Sequence, residues 1–189
     1  MRVARLGCVL ALLLALPALA HADEAPLLAA LREGRAVALM RHAAAPGTGD
    51  PASFRLGDCS TQRNLSEEGR AQARATGARL RAAGITRARV YSSQWCRCLE
   101  TAGLLGLGAV NELPALNSFF GDPAQRAAQT AALSVFLRER PPGAPLILVT
   151  HQVNITAFTD AFPRSGEIVL VTLPLGEPPE VLGRFAPLE

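Results

Sequence analysis

The run Ala36-Val37-Ala38-Leu39-Met40 stops abruptly at the pair Arg41-His42. Gly34 precedes it, and the Gly/Pro-rich residues 45–51 follow. An apolar run this short, without polar alternation and bounded by turn residues, is predicted to be a strand buried on both faces. Such a strand needs a packed layer on each side, which commits the chain to an α/β sheet. Ligands bind such sheets just beyond the carboxyl ends of the strands. Arg41 and His42 would stand there, and a guanidinium beside an imidazole suits an anion such as phosphate.

The same pattern recurs downstream. Residues 88–91 form a short strand that ends in Ser92-Ser93, and Arg97 falls in the first turn of the following helix. Residues 145–150 form a strongly apolar strand that ends at His151. Between them lie amphipathic helices at 23–32, 67–83, 94–105, 123–140 and 154–162. Ser66 is suited to cap the second, with Glu67 and Glu68 in its first turn and Gly84 beyond its end. Strand character also appears at 109–116, 167–173 and 181–185. Strands alternating with helices predict a three-layer α/β/α sandwich with a mostly parallel central sheet. Residues 43–63 have no clean period and are too long for a simple connector, so they are expected to fold over the site.

The first 22 residues read as a secretory signal peptide. Arg2 and Arg5 precede an apolar stretch, and Ala20-His21-Ala22 is a small-x-small cleavage pattern. The stretch is too short to span a membrane comfortably, so no stable membrane anchor is expected. Residues 23–189 then form one domain, exported across an inner membrane to a periplasm. Of the 19 basic residues, all arginine, two lie in this leader; 17 remain against 16 acidic ones. A near-neutral domain is a poor nucleic-acid binder. Three cysteines follow the leader. In an oxidising compartment Cys59 is expected to pair with Cys96 or Cys98, because the latter two are too close on a helix start to pair with each other.

Parallel strands bring their carboxyl ends to one edge, so His42, Arg41, Arg97 and His151 should converge. One imidazole can attack phosphorus while guanidinium groups and the second imidazole hold the non-bridging oxygens. Two histidines without a third histidine or nearby carboxylate make a poor metal set, so no metal and no other cofactor is expected. Taken singly, each residue also fits a structural role, such as a capping serine or an exposed arginine.

The motifs resemble those of the histidine phosphatase superfamily, with its phosphoglycerate-mutase-like fold. These are Leu39-Met40-Arg41-His42, Leu65-Ser66-Glu67-Glu68-Gly69 with Gln72-Ala73, Ser92-Ser93 with Arg97 and Thr101-Ala102, and Val149-Thr150-His151. The resemblance implies His42 as nucleophile, with Arg41, Arg97 and His151 as the phosphate pocket. Gln62, Arg63 and Asn117 are candidates for further phosphate or substrate contacts. The chain departs from the family pattern in two places. Ala43 stands where glycine is usual, which an L-residue tolerates only at negative φ. No acidic residue follows His151, where Gln152 stands, and Asn117 occupies a place where the mutases carry an acid. Asp122 and Glu112 are the nearest candidates for the general acid, with Asp50 or Asp58 able to arrive from the long loop. The implied activity is hydrolysis of a small phosphomonoester through a phosphohistidine, on a sugar or envelope phosphate. The alternative is a catalytically weak periplasmic module that binds phosphate or phosphosugar. Oligomeric state is not legible in the sequence.

Overall fold

The computed structural model describes residues 24–140 and 143–187. The segment read as a signal peptide lies outside them. Five helices, α1 (Glu24–Arg32), α2 (Glu67–Ala82), α3 (Cys96–Leu104), α4 (Arg126–Arg138) and α5 (Gln152–Thr159), alternate with six strands. The strands are β1 (Ala36–Arg41), β2 (Arg89–Ser92), β3 (Val110–Glu112), β4 (Leu146–Thr150), β5 (Ile168–Thr172) and β6 (Val181–Phe185). They form one sheet in the order β3-β2-β4-β1-β5-β6. The result is the α/β sandwich that the alternation predicts.

The two central strands are buried along their length, and alternate residues enter different cores. Ala36, Ala38 and Met40 of β1 meet Leu31, Leu80 and Leu105 on one side of the sheet. Val37 and Leu39 meet Leu133, Phe136 and Ile155 on the other. Helices α1, α2 and α3 therefore cover one face, and α4 and α5 the other.

Strands β3, β2, β4 and β1 are mutually parallel, but β5 pairs antiparallel with β1 and β6 antiparallel with β5. The reason lies in α5. With eight residues it rises only about 12 Å, and the chain after it turns back at the same sheet edge. There Gly166 N–H donates to the carbonyls of Arg41 and His42, at 3.2 and 3.0 Å. The next strand thus starts at the edge where β1 ends and can only run back.

Helix α2 packs closely through two glycines. A Cβ on Gly69 would lie 2.1 Å from the Ala44 carbonyl oxygen, and one on Gly77 2.1 Å from that of Leu105. Real Cβ atoms do not approach so closely, so both positions require glycine. The Ser66 hydroxyl caps the helix by accepting from Gly69 N–H at 3.1 Å. Two predicted elements are shorter than the sequence suggests. The strand read at 109–116 yields after Glu112 to a 3-10 turn, Pro114–Leu116, because Pro114 cannot extend the ladder. The helix read from Pro123 begins as a second 3-10 turn, Pro123–Gln125, that feeds α4.

Candidate active site

The carboxyl ends of β1, β2 and β4 open into a cavity of about 540 Å³. Arg41, His42, Arg97 and His151 all line it, as does Arg63. The His42 and His151 rings meet edge to face, with centroids 5.5 Å apart.

His42 leaves the end of β1 with its own N–H bonded to Thr150 O, at 2.9 Å. Its Nδ1 lies 2.8 Å from the carbonyl oxygen of Ala43. A carbonyl only accepts, so Nδ1 carries the proton and Nε2 keeps its lone pair. Burial lowers the His42 pKa to about 3, and the charges of Arg97, Arg41 and Arg63 act in the same direction against the bond to Ala43. The imidazole is therefore neutral at ordinary pH. The turn after it is held by two side chains. Thr101 Oγ1 accepts from Ala43 N–H at 3.1 Å and donates to Arg97 O at 2.7 Å, while Gln72 Oε1 accepts from Ala44 N–H at 3.1 Å. Ala43 has negative φ, since Asp160 is the only non-glycine with positive φ among the described residues. Alanine therefore fits where glycine was the expected residue.

His151 is held differently. Its Nε2 lies 2.8 Å from Ser93 Oγ, and its Nδ1 lies 3.5 Å from Arg97 Nη2. Guanidinium only donates, so Nδ1 is the acceptor and Nε2–H donates to the serine. Asn117 Oδ1 in turn accepts from the serine hydroxyl at 3.3 Å. Burial holds His151 well below the ordinary histidine pKa, helped by the proximity of His42 and Arg97.

Arg97 is 3% exposed and is gripped from the long loop. Its Nη1 and Nη2 donate to the two oxygens of Asp50, at 2.7 and 3.1 Å. Asp50 also accepts from Trp95 Nε1 at 3.0 Å and from Arg63 N at 3.2 Å. Burial alone would raise the Asp50 carboxyl, but these bonds and the Arg97 charge hold it below the usual range. Asp50 is thus a fixed anion. The Nε–H groups of Arg41 and Arg97 are buried without a protein partner. Arg41 Nη1 donates to Pro163 O at 3.0 Å. Arg63 Nε donates to Gly49 O at 2.8 Å, and its Nη1 to Ala45 O.

The family model of the histidine phosphatase superfamily, branch 1, matches residues 37–130, which include Arg41, His42 and Arg97. The chain belongs to the histidine phosphatase superfamily. No curated protein matches it by sequence. Solved structures match it in fold. The protein histidine phosphatase SixA complexed with tungstate is 20% identical with TM-score 0.57, covering 80% of this chain and 96% of its own. A phosphoglycerate mutase from Thermus thermophilus is 20% identical with TM-score 0.54, covering 82% and 99%. A mycobacterial glucosyl-3-phosphoglycerate phosphatase complexed with VO3 is 16% identical with TM-score 0.53, covering 73% and 92%. At such identities the likeness is one of fold.

Other residues singled out in the sequence of this superfamily member have different surroundings. Gln62 does not line the cavity; its Oε1 accepts from Cys96 N–H at 2.9 Å and its Nε2 donates to Arg55 O at 3.0 Å. It ties the loop to the start of α3, where an uncapped N–H would otherwise be buried. Asn117 is likewise behind the wall. Its Oδ1 accepts from Gln94 N–H at 2.9 Å, which orients Ser93 rather than a ligand. Glu112 ends an exposed edge strand, accepts from Gln94 Nε2 at 2.9 Å and does not line the cavity. Asp122 does line it, exposed at the mouth. Asp58 caps a 3-10 turn, accepting from Ser60 N–H at 3.1 Å. Cys59 pairs with Cys96, 37 residues on, and Cys98 is free and buried, its thiol pushed up to about 12 by burial. Among the described residues no group of three histidine, cysteine or acidic side chains is placed to hold a metal.

Thr101 and Gln72 fall within the sequence motifs around Arg97 and at the start of α2, and both hold the backbone beside His42. Nothing in the sequence distinguished Asp50 as the partner of Arg97.

Proposed function

We propose that this protein hydrolyses a small phosphomonoester through a phosphohistidine on His42. The observation that carries the reading is the fixed tautomer of His42. Its Nδ1–H is tied to Ala43 O, so Nε2 presents a lone pair into a cavity ringed by arginines. Attack by Nε2 forms the N–P bond and releases the alcohol. Water then cleaves that bond, returning phosphate and the free imidazole. The unpartnered Nε–H groups of Arg41 and Arg97 suit the non-bridging oxygens. His151 has its acceptor nitrogen towards Arg97, so an entering oxyanion meets it as a hydrogen-bond donor only after it takes up a proton at Nδ1. Three guanidinium groups line the cavity and supply the charge that a metal would, so the reaction needs none.

Asp50 is excluded as the acid by its four donors and its lowered pKa. Asp122, at the mouth, is the carboxyl placed to protonate a leaving group. The exported, periplasmic location and a sugar or envelope phosphate as substrate belong to the same reading and rest on the leader sequence. The alternative, a phosphate-binding module without turnover, draws on the deeper carboxyl of the cavity, Asp50, being locked as an anion by Arg97.

The test is to mix the full-length mature chain with an aryl phosphate in EDTA, quench it and weigh it intact. An acid-labile phosphate adduct that vanishes in His42→Ala supports the phosphohistidine. Turnover abolished by EDTA sinks the metal-free route. Phosphate binding without adduct or turnover puts the binding module ahead.

A further inference from the structure

The cavity has a second half that the phosphate chemistry does not use. Trp95, the chain's single tryptophan, stands two residues before Arg97 and lines the cavity. Its ring meets His151 edge to face at 5.4 Å. Its indole N–H is fixed by Asp50, and Phe54 stacks on it at 5.0 Å with 21° between planes. Phe54 lines the cavity too. The wall is thus flat, apolar and held in place, and it begins where the two histidines end.

Phe120 faces the same space. Its neighbour Phe119 is buried, whereas Phe120 is 54% exposed and lines the cavity. Its ring packs against Gly49, where an added Cβ would lie 3.7 Å away. A large apolar ring left in water beside a charged pocket marks a surface that a ligand covers. Asp122 and Gln152 add polar groups to the same cavity.

The geometry points to a leaving-group subsite formed by Trp95, Phe54 and Phe120, which takes a ring with an apolar face attached to the phosphate. The shared chemistry is the ring face, which either an aromatic ring or a sugar ring offers. The subsite rests on the reading of the four-residue cluster as a phosphate site. A substrate phosphate held between His42 and His151 projects its alcohol past Trp95, so a ring there stacks while an open chain of similar size gains less.

Intrinsic fluorescence reports on this wall directly, because its only tryptophan belongs to the wall. The full-length mature chain is titrated with benzylphosphonate and propylphosphonate, then with glucose 6-phosphate and glycerol 3-phosphate in the His42→Ala background, which cannot turn them over. The expected result is binding about tenfold tighter for the ring member of at least one pair. The aromatic pair or the sugar pair identifies which ring. Phe120→Ala should shrink that ratio to about threefold or less. Equal affinities within both pairs, a ratio untouched by Phe120→Ala, or no binding of any of the four overturns the subsite. Ring preference in binding without any phosphoenzyme in the wild type would keep the subsite and remove the phosphatase reading, so the two fail separately.

Discussion

The ends of β1 and β4 look alike in sequence, each an apolar run closing on a histidine, yet the two imidazoles are fixed by different means. His42 is held by a backbone carbonyl, its own neighbour's, at 2.8 Å. His151 is held by side chains, Ser93 on one nitrogen and Arg97 on the other. A backbone acceptor cannot rotate or ionise, so it fixes one tautomer in every state of the cycle. Side-chain partners can re-form, so His151 is free to exchange its role from acceptor to donor when an anion arrives. His42, the proposed nucleophile, is held constant, and His151 is free to respond.

The largest effect should come from removing the constant member. His42→Ala should abolish the phosphoenzyme and lower turnover by at least about a thousandfold, read by intact mass and steady-state kinetics. Arg97→Ala should cost about 3–4 kcal/mol of transition-state stabilisation, read as kcat/KM, because it strips a charged donor from a buried site and leaves Asp50 without its ion-pair partner. Both buried histidines are neutral when folded but titrate at their ordinary pKa when unfolded. The unfolded chain therefore binds more protons in acid, and stability falls as pH drops from about 6.5 towards about 3, the folded value for His42. The slope from His42 should approach about 1.4 kcal/mol per pH unit in that window. Denaturant unfolding at several pH values reads it, and His42→Gln should flatten it. Ser93→Ala releases the responsive member at Nε2 and also removes the acceptor of Trp95 N–H. It should lower kcat about tenfold and shift the acid limb of the pH profile while the adduct on His42 still forms. If Ser93→Ala instead removed the adduct altogether, the distinction between the two histidines would collapse.

The ends of β1 and β4 were legible because a strand buried on both faces has few spellings, and a charged pair at its end stands out. The direction of β5 was not. Ile168 to Thr172 is apolar whichever way it runs, and only the shortness of α5 and the Gly166 turn decide it. Arg41 and both histidines reach the cavity as their strand-end positions require, and Arg97 reaches it from the first turn of α3. Gln62 and Asn117 did not, because a polar side chain in a loop follows the nearest unsatisfied backbone group, and that group belongs to another element. Asp50 was one of several turn-forming residues in a loop without period. Its place is set by three partners, Arg97, Trp95 and Arg63, that come together only in the folded chain.

Gly69 and Gly77 bring α2 into backbone contact with the turn after His42 and with the end of α3. A spacing set by main chain against main chain behaves as a gauge block, with no rotamer to adjust and no methyl group to trade. Substitutions that repack the interior on either side of the sheet can change stability while the distance between the His42 turn and its supporting helix is preserved. The position of the His42 turn is thereby insulated from repacking of the interior.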